Sequence, residues 1–336
     1  MKNNPATLLI SSSEAREIFE KDIGNAIRIV ELALRNKYDG NVKMPDKISC
    51  IFDEKSQNRI NCMPAALLSE DVYGVKWVSV FPDNPKDGYK NVTGITVMSE
   101  LKHGHPVAIM DSSYLTDIRT AAVGAVAAKY LATQNCSKIG FIGAGQQARR
   151  HLDTILCAKK SIRECYVSSR TEATVFDFIR EEAAKHPDIK FINCGNDYES
   201  AVKDADIIVT ATSTQEDLLK ANWIKNGSLY IHVAGWEDEY AVAQKASKIV
   251  CDDWESVKHR TQTISRMYQE GILADSDIYA NLLDIACGEK LGRENNDEFI
   301  YFCSVGLAYI DVMFAKYVYL KAMDQNMGQN FEFYNG

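Results

Sequence analysis

The 336-residue sequence contains no run of 18 consecutive apolar residues, so it predicts no membrane-spanning helix. Its first ten residues lack the basic start, apolar stretch and small-residue cleavage site of a secretory signal. Basic residues are scarce relative to acidic ones: 38 Lys and Arg stand against 46 Asp and Glu, which gives a net charge of −8. This balance argues against a protein that binds nucleic acid or an anionic membrane, because both require a basic surface.

The nine cysteines include no Cys-x-x-Cys pair, and their number is odd. In a chain without a signal, scattered cysteines indicate buried, reduced thiols rather than a zinc site or a disulfide framework. His103 and His105 have no cluster of carboxylates around them in the sequence and are typical of a plain turn. We therefore predict a cytoplasmic protein and no metal site.

The composition that is present, with 46% hydrophobic and 25% charged residues, is typical of a folded protein, and the length corresponds to about two domains. A capping signal at residues 11–14 precedes a helical pattern that continues to Leu34. Between Lys47 and Met110, short apolar runs separated by turn residues are typical of antiparallel strands. A helix is predicted at residues 115–132.

From Lys138 onward, apolar strands alternate with helices, which indicates a parallel, doubly wound sheet. The predicted strands lie at residues 138–142, 164–168, 189–193, 206–211, 228–234 and 247–252, and the helices between them at 146–158, 172–186 and 197–203. After Trp254 the chain is predicted to be helical to about Tyr319, with a polar break at 292–298. The expected fold class is α/β: a Rossmann-type domain at residues 119–304 and an α+β domain formed by residues 1–118 with 305–336, linked by long helices.

A glycine-rich motif follows the first of these strands and comprises Gly143, Ala144, Gly145, Gln146, Gln147 and Ala148. Gly143 permits a tight turn, Gly145 lets the backbone approach a pyrophosphate, and Ala148 permits close packing of helix and strand. The start of the helix adds N–H groups and the positive end of its dipole. Because the motif follows a strand, opens a helix and lies within a βαβ unit, it predicts a dinucleotide-binding site.

The end of the next strand bears on which dinucleotide is bound. An NAD site usually places a carboxylate there to accept hydrogen bonds from the ribose 2′-hydroxyl, but this sequence has Ser169, Arg170 and Thr171. Their side chains can donate to a 2′-phosphate, so NADP(H) is favoured. Glu172 could still reach a ribose, and NAD(H) stays open. The predicted cofactor-binding set also includes Arg119, Thr120, Thr210, Ala211 and Thr212.

Four segments of the sequence match a known family in order and spacing: residues 74–77, 117–122, 143–148 and 250–254. Through these segments, the chain resembles the ornithine cyclodeaminase/μ-crystallin family over nearly its whole length. Within the family, residues 291–298, Gly306 and 326–334 are similar to the N-(2-amino-2-carboxyethyl)-L-glutamate dehydrogenases of staphyloferrin B biosynthesis. The resemblance implies hydride transfer between a nicotinamide and the Cα of an amino acid. It also implies a homodimer formed through the N-terminal strands, which makes the α+β domain a substrate-binding and dimerisation domain.

Such a reaction needs cations for the α-carboxylate and an acid/base for the imine nitrogen. By resemblance, Lys76 contacts the substrate carboxylate, and Arg119 lies between that carboxylate and the cofactor. The family has an aspartate shortly after the glycine of the fifth strand. An ungapped alignment puts Glu237 at that position, and a one-residue slip puts Asp238 there.

The sequence also departs from the family at an early strand, where the family carries an arginine that grips the carboxylate. The matching position is Ile51, and Lys47 or Arg59 could substitute for the arginine. Met63 completes the predicted substrate-binding set. These departures leave the substrate open.

The resemblance therefore favours an NAD(P)-dependent oxidoreductase that acts on the C–N bond of an amino acid. N-(2-amino-2-carboxyethyl)-L-glutamate, a precursor of 2,3-diaminopropionate, is the first candidate substrate, and an NADPH-dependent ketimine or imino-acid reductase is the second. A lyase of the ornithine cyclodeaminase type and a non-enzymatic ligand-binding protein are the alternatives. Nicotinamide turnover distinguishes them, because only the oxidoreductase consumes or forms NAD(P)H in the net reaction.

Overall fold

The computed structural model describes residues 6–53, 56–212, 214–233 and 235–333. The chain divides into two compact units: unit 1 contains the residues up to Arg119 and those from Leu307 onward, and unit 2 is Thr120–Gly306. In the described part of the chain, no helix is long and apolar enough to cross a membrane.

The strands, in chain order, are β1 Thr7–Ile10, β2 Val42–Lys43, β3 Ile48–Asp53, β4 Asn58–Leu67, β5 Val72–Val80, β6 Val92–Glu100, β7 Pro106–Asp111, β8 Lys138–Ile142, β9 Glu164–Ser168, β10 Lys190–Asn193, β11 Ile207–Thr210, β12 Gln215–Leu219, β13 Leu229–His232, β14 Trp236–Asp238, β15 Lys248–Cys251, β16 Ile278–Asn281, β17 Ile300–Cys303 and β18 Gln329–Phe331. The α-helices are α1 Ser12–Glu20, α2 Gly24–Tyr38, α3 Ser113–Leu131, α4 Gln146–Ala158, α5 Glu172–Lys185, α6 Tyr198–Val202, α7 Tyr240–Lys245, α8 Trp254–Val257, α9 Thr263–Gln269, α10 Leu282–Ala286 and α11 Ala308–Asp324.

Unit 1 is built on a mainly antiparallel sheet in the order β18-β1-β7-β6-β5-β4-β2, with β3 also paired to β4. Alternate residues of β5 are buried, as expected for a sheet covered on one face. The helix α11 packs on that face, and Gly74 lets it approach closely, because a Cβ at this position would lie 2.8 Å from Val312. The long apolar surface of α11 thereby closes the core of unit 1.

Unit 2 is built on an eight-stranded parallel sheet in the order β10-β9-β8-β11-β13-β17-β15-β16. Strands after β8 are first added on one side of it and then, from β11, on the other. This reversal makes β8 and β11 a topological switch point, where doubly wound sheets bind their ligands at the carboxyl ends of the strands. A separate pair, β12 and β14, forms a small two-stranded sheet.

The predicted α/β class is confirmed, with a Rossmann-type parallel sheet, and the six predicted strands from Lys138 are all present. The prediction of a helical chain from Trp254 to Tyr319 is wrong, because β16 and β17 lie within it. The strand β17 is fully buried between β13 and β15. A short apolar run of this kind fits a buried strand and a buried helix equally well, so periodicity did not distinguish them.

Two smaller predictions are also corrected. The single N-terminal helical pattern is two helices, α1 and α2, separated at residues 21–23. All nine cysteines are free, but only four of them are buried, four are half-buried, and Cys50 is exposed on β3, which pairs with β4 alone among the described strands.

Candidate functional site

The glycine-rich motif forms the turn between β8 and α4. Gly143 has a φ of 103°, and its N–H donates to the carbonyl of Ser168. A Cβ at Gly143 would lie 2.6 Å from the carbonyl oxygen of Ala211, so only glycine fits. The turn therefore brings the ends of β8 and β11 together at the switch point.

The next residues leave the start of α4 open. Apart from Gly145 itself and its two chain neighbours, no described atom lies within 4 Å of where a Cβ of Gly145 would stand, and Gly145 and Gln146 are exposed. Gly145 is the N-cap of α4 and provides no capping side chain. Ala144 and Ala148 are buried on the packing side, while Gln147 is half-buried. The first-turn N–H groups of a 13-residue helix thus remain available to an anion, which fits the pyrophosphate of a dinucleotide.

The residues after β9 lie at the carboxyl edge of the same sheet. Ser169 is half-buried, and its N–H donates to the carbonyl of Gly195. Arg170 is exposed, and Thr171 is the N-cap of α5, with its Oγ1 2.6 Å from Oγ1 of Thr174. These positions suit contact with the ribose side of a dinucleotide bound at the switch point.

The predicted residues after β11 are engaged within unit 2. Thr210 is fully buried, and its hydroxyl donates to Oε2 of Glu237 at 2.9 Å. Thr212 donates both its N–H and its hydroxyl to Oε1 of Glu237, each at 2.6 Å. The N–H of Ala211 donates to the carbonyl of Ile142. The two threonine side chains thus hold a carboxylate.

Unit 1 buries a cluster that we name the cation cluster: Lys76, Arg119 and Asp311. Lys76 Nζ lies 2.7 Å and Arg119 Nε 2.9 Å from the same oxygen of Asp311, Oδ1. All three side chains are at least nine-tenths buried. Burial, reinforced by the charge of Arg119, lowers the pKa of Lys76 to about 8 despite the nearby Asp311. With Lys76 protonated, two cations face one anion, which leaves a surplus positive charge suited to a carboxylate.

The sequence analysis missed Asp311. Its signal is an acidic residue in the buried stretch of α11, in which Ala308 to Ala315 are otherwise apolar. Acidic side chains are seldom fully buried without a partner, so an aspartate among buried apolar residues indicates that a cation is buried beside it.

Of the other predicted substrate-binding residues, Met63 lies beside the cluster. It is buried on β4 and pairs in register with Lys76 on β5. Arg59 lies on the same strand face as Met63, pairs with Val80, and donates to the carbonyl of Gln57. Lys47 precedes β3 and lies outside the Met63–Lys76 row. The structure therefore places Met63 beside the cation cluster, which contains Lys76 and Arg119, and places Lys47 outside this row.

Glu237 and Asp238 are fully buried on β14. Asp238 Oδ1 accepts a hydrogen bond from the hydroxyl of Thr263 at 2.7 Å and longer ones, at 3.3 Å, from Tyr230 and Tyr301. Burial raises the pKa of the Glu237 carboxyl, against the charge of His232 and the threonine hydrogen bonds. Burial likewise raises the pKa of Asp238 to about 7. Desolvated acids with such pKa values are candidates for proton transfer.

His232, which the sequence analysis also missed, lies between these two acids. Its Nε2 is 3.7 Å from Glu237 Oε2, and its Nδ1 is 3.7 Å from Asp238 Oδ1 and 2.8 Å from the hydroxyl of Tyr301. Burial lowers the pKa of His232, which favours the neutral ring. We name Glu237, His232, Asp238 and Tyr301 the acid cluster.

A third missed residue, Asp252, shapes the loop after β17. Its Oδ2 accepts the N–H groups of Val305 and Gly306 at 2.9 Å and the hydroxyl of Ser304 at 3.2 Å. Burial raises the pKa of Asp252 to about 6, although the two backbone N–H groups oppose the shift. This carboxylate holds the loop at the carboxyl edge of the parallel sheet.

In the described ranges, one group has the spacing of a metal site: Asp153, Glu182 and His186. Nε2 of His186 already contacts Asp153 at 2.9 Å, Arg150 lies 3.2 Å from the same carboxylate, and Lys185 Nζ is 2.9 Å from Glu182. Basic side chains thus contact both acids, and we assign the group to the ion pairs between α4 and the end of α5.

Several bacterial and archaeal enzymes are similar to the chain along most of its length. The alanine dehydrogenase of Archaeoglobus fulgidus is 33% identical, covering 98% of this chain and 99% of its own. A Δ1-pyrroline-2-carboxylate reductase of Bacillus cereus is also 33% identical, covering 97% and 100%. The N-((2S)-2-amino-2-carboxyethyl)-L-glutamate dehydrogenase of Staphylococcus aureus is 28% identical, covering 82% and 83%.

Solved structures are also similar to the chain along nearly its whole length. The Δ1-pyrroline-2-carboxylate reductase of Thermococcus litoralis, solved with NADH and L-proline, has a TM-score of 0.91 at 31% identity and covers 97% of this chain and 100% of its own. An archaeal alanine dehydrogenase dimer with bound NAD has a TM-score of 0.89 at 31% identity, covering 98% and 99%. The family model of the ornithine cyclodeaminase/mu-crystallin family matches residues 10–326. The chain therefore belongs to the ornithine cyclodeaminase/mu-crystallin family.

Proposed function

We propose that this chain is an NAD(P)-dependent oxidoreductase that interconverts an α-amino acid and its α-imino form. The observation that carries the proposal is the cation cluster. A buried site with one surplus positive charge discriminates for a carboxylate, which both forms of the substrate share. The nucleotide-binding turn at Gly143 supplies the second requirement, and the whole-length relatives named as dehydrogenases and reductases support the reaction class.

Each group then has a distinct task. Lys76 and Arg119 hold the α-carboxylate, and Asp311 orients both cations. The turn at Gly143 and the start of α4 hold the pyrophosphate, and a nicotinamide bound in this way would supply or accept the hydride. Glu237 exchanges a proton with the substrate nitrogen. We prefer it to Asp238 because its carboxylate contacts Thr212, at the carboxyl edge of the sheet, whereas Asp238 contacts the buried tyrosines.

The proposed substrate is an imino acid such as Δ1-pyrroline-2-carboxylate, which is reduced. Relatives of that name match almost the full chain. N-(2-amino-2-carboxyethyl)-L-glutamate, which would be oxidised in 2,3-diaminopropionate and siderophore biosynthesis, is the second candidate and is favoured by the S. aureus relative. Both carry the α-carboxylate that the cation cluster would bind.

The test is nicotinamide turnover by the purified full-length chain with each substrate, followed by absorbance. We expect reduction of the imino acid. Lys76→Met should lower kcat/KM by roughly 10- to 100-fold, from the 1.5–3 kcal/mol of a charged hydrogen bond, and leave cofactor affinity unchanged. Release of ammonia without net nicotinamide turnover would instead indicate a cyclodeaminase. Binding without any turnover would indicate a ligand-binding protein.

We propose NADP(H) as the preferred cofactor, supported by the exposed Arg170 beside Ser169 and Thr171. The relatives solved with NADH and NAD keep NAD(H) as the alternative. Arg170→Ala should weaken NADPH binding by about 1–3 kcal/mol and leave NADH binding nearly unchanged. Arg180→Ala, at another exposed arginine of unit 2, is the matched control. Equal losses for both cofactors would contradict the 2′-phosphate contact.

We also propose a homodimer, as described for the archaeal alanine dehydrogenase. The face of the unit 1 sheet opposite α11 carries Tyr73, Trp77 and Ile95, all exposed, with Trp77 and Ile95 paired in register. An exposed apolar row of this kind favours a protein contact. The molar mass in solution, measured by light scattering, tests it, and a monomer at micromolar concentration would contradict it. The cytoplasmic location stays a prediction.

A further inference from the structure

The acid cluster is a row of four neighbouring ionisable groups, in which His232 Nε2 has no hydrogen-bond partner within the described residues. Glu237 Oε2 faces His232 Nε2 at 3.7 Å, His232 Nδ1 is 2.8 Å from the hydroxyl of Tyr301, and that hydroxyl is 3.3 Å from Asp238 Oδ1. None of the four side chains has measurable solvent exposure. The series therefore connects two carboxyl groups through one imidazole and one phenol, away from water.

We propose that His232 and Tyr301 form a proton path between Glu237 and Asp238, so that the two carboxyl groups hold a single exchangeable proton. The path deepens the proposed function, because it lets Asp238 supply the proton that Glu237 gives to an imino nitrogen. Glu237 is the group that meets the substrate, whereas His232, Tyr301 and Asp238 are positioning residues that act through it.

One proton for two acids follows from the surroundings. Burial penalises the ionised form of each acid, so two ionised carboxylates are unfavourable, whereas two neutral acids would leave the charge-stabilising hydroxyl donors aimed at them without an anion. The ion-pair contacts of both acids within the described residues are to His232. Tyr230, Cys303 and Asp217 also act on the cluster, and none of them supplies a positive charge.

The proton balance has two arrangements of equal net charge. In the first, Glu237 is ionised, His232 carries its proton on Nε2, Tyr301 donates to Nδ1, and Asp238 is protonated. In the second, Glu237 is protonated, His232 carries its proton on Nδ1 and donates to the Tyr301 oxygen, and Tyr301 donates to an ionised Asp238. Three one-step proton transfers convert one into the other once the gap at Nε2 closes to a hydrogen-bond length of about 2.8 Å.

During reduction, Glu237 gives a proton to the imino nitrogen, and a bound reduced nicotinamide would supply the hydride for the imino carbon. Both electrons of the new C–H bond would come from the hydride, and one proton must return to the pair of acids before the next turnover. In the oxidative direction, Glu237 takes the proton from the nitrogen and the path passes it to Asp238. Glu237 is thereby restored as a base without changing the net charge of the buried cluster.

The test reads the His232 tautomer by 15N NMR of the full-length chain labelled at histidine, and it needs no substrate. His232→Gln identifies the signal among the six histidines. We expect averaged shifts of both tautomers in the wild type. Asp238→Asn should shift the average to the Nε2–H form, and Glu237→Gln should shift it to the Nδ1–H form. One tautomer in all three chains, or a protonated imidazolium at pH 7, would overturn the proton path.

Tyr301→Phe keeps the size of the side chain and interrupts the path. It should leave His232 in the Nε2–H form, and Asp238→Asn should then no longer change the tautomer. The Tyr301 variant alone tests the proton path if the Asp238 variant does not fold. Tyr166→Phe is the matched control, since Tyr166 also lies on a strand of unit 2 and donates to a carboxylate, Glu164. A tautomer that still responds after Tyr301→Phe would contradict the path.

Turnover then separates the two proposals. Tyr301→Phe should lower kcat roughly tenfold with KM unchanged, less than the 10²–10⁴ that general acid–base catalysis contributes in full. A responsive tautomer with no turnover on either substrate would refute the proposed function alone. Normal turnover with an unresponsive tautomer would refute the proton path alone.

Discussion

Each unit buries charged side chains, but the two clusters balance their charge by opposite means. In the cation cluster of unit 1, two basic groups contact one carboxylate oxygen at 2.7 and 2.9 Å. In the acid cluster of unit 2, two carboxyl groups share one imidazole at 3.7 Å and otherwise receive hydrogen bonds from hydroxyl and backbone N–H groups. The cation cluster is neutralised by an opposite charge, whereas the acid cluster is neutralised by protons bound to its carboxyl groups.

The difference assigns different chemistry to the two clusters. The cation cluster keeps its surplus positive charge while Lys76 is protonated, that is, up to about pH 8, so it suits the binding of an anion at neutral pH. A cluster of acids with raised pKa values changes its protonation near neutral pH, so it suits proton transfer. An oxidoreductase for amino and imino acids needs both properties.

The largest effect should come from removing the single anion of the cation cluster. Asp311→Asn leaves Lys76 and Arg119 buried without a countercharge, and we expect a loss of about 3–5 kcal/mol in the free energy of unfolding. Lys76→Met should cost less than half as much, because Asp311 keeps Arg119 as its partner.

Denaturant unfolding of the full-length variants at pH 7 measures both losses. Comparable losses for the two substitutions would show that Asp311 is no more than a partner of Lys76. The claim that the cation cluster is stabilised by one carboxylate shared between two cations would then be wrong.

How far the sequence could predict these sites depends on the distance along the chain between their residues. The turn at Gly143 was predictable because its constraint is local: a strand, a turn and a helix in consecutive residues. The cation cluster was predictable only in part. Lys76 and Arg119 were identified by resemblance, but Asp311 is 235 residues from Lys76, and no local pattern pairs them.

The acid cluster shows a second limit. Glu237 and Asp238 follow a glycine in a run of acids that resembles an exposed loop, yet both are fully buried. Asp238 accepts a hydrogen bond from Tyr301, which lies on β17, and that strand was predicted as helix. A misassigned strand therefore concealed the partner that makes these acids chemically useful.

The next largest effect is the pH dependence that Asp238 gives to stability. Its folded pKa of about 7 lies above its ordinary 3.8, so between these values the folded chain binds more protons than the unfolded chain. The stability of the wild type relative to Asp238→Asn should therefore fall as pH rises from about 4 to 7, by about 1.4 kcal/mol per unit of pKa difference.

Free energies of unfolding at pH 5 and pH 8 test this sign. Asp188→Asn, a substitution at an exposed aspartate, is the control and should give no such trend. The same stability of the wild type relative to Asp238→Asn at both pH values would mean that the folded pKa of Asp238 is not raised.

A smaller effect should appear in substrate binding by Lys76. Its pKa of about 8 means that it loses its proton, and the cluster loses its surplus charge, as pH rises above 8. The KM for the imino acid should then rise up to tenfold per pH unit. Lys76→Arg should flatten this rise, because a guanidinium stays protonated. The same rise in both chains would assign the titration to another group.

The smallest effect concerns one hydroxyl of the acid cluster. Thr263→Val keeps the shape of the side chain and removes the shortest hydrogen bond to Asp238, at 2.7 Å. We expect a loss of about 1 kcal/mol at pH 8, where Asp238 is ionised and needs the donor, and a smaller loss at pH 5, where it is protonated. Unfolding free energies at the two pH values measure the difference. Equal losses would show that the hydroxyl acts through packing, whereas a loss confined to pH 8 would show that hydroxyl donors stabilise the charge in this cluster.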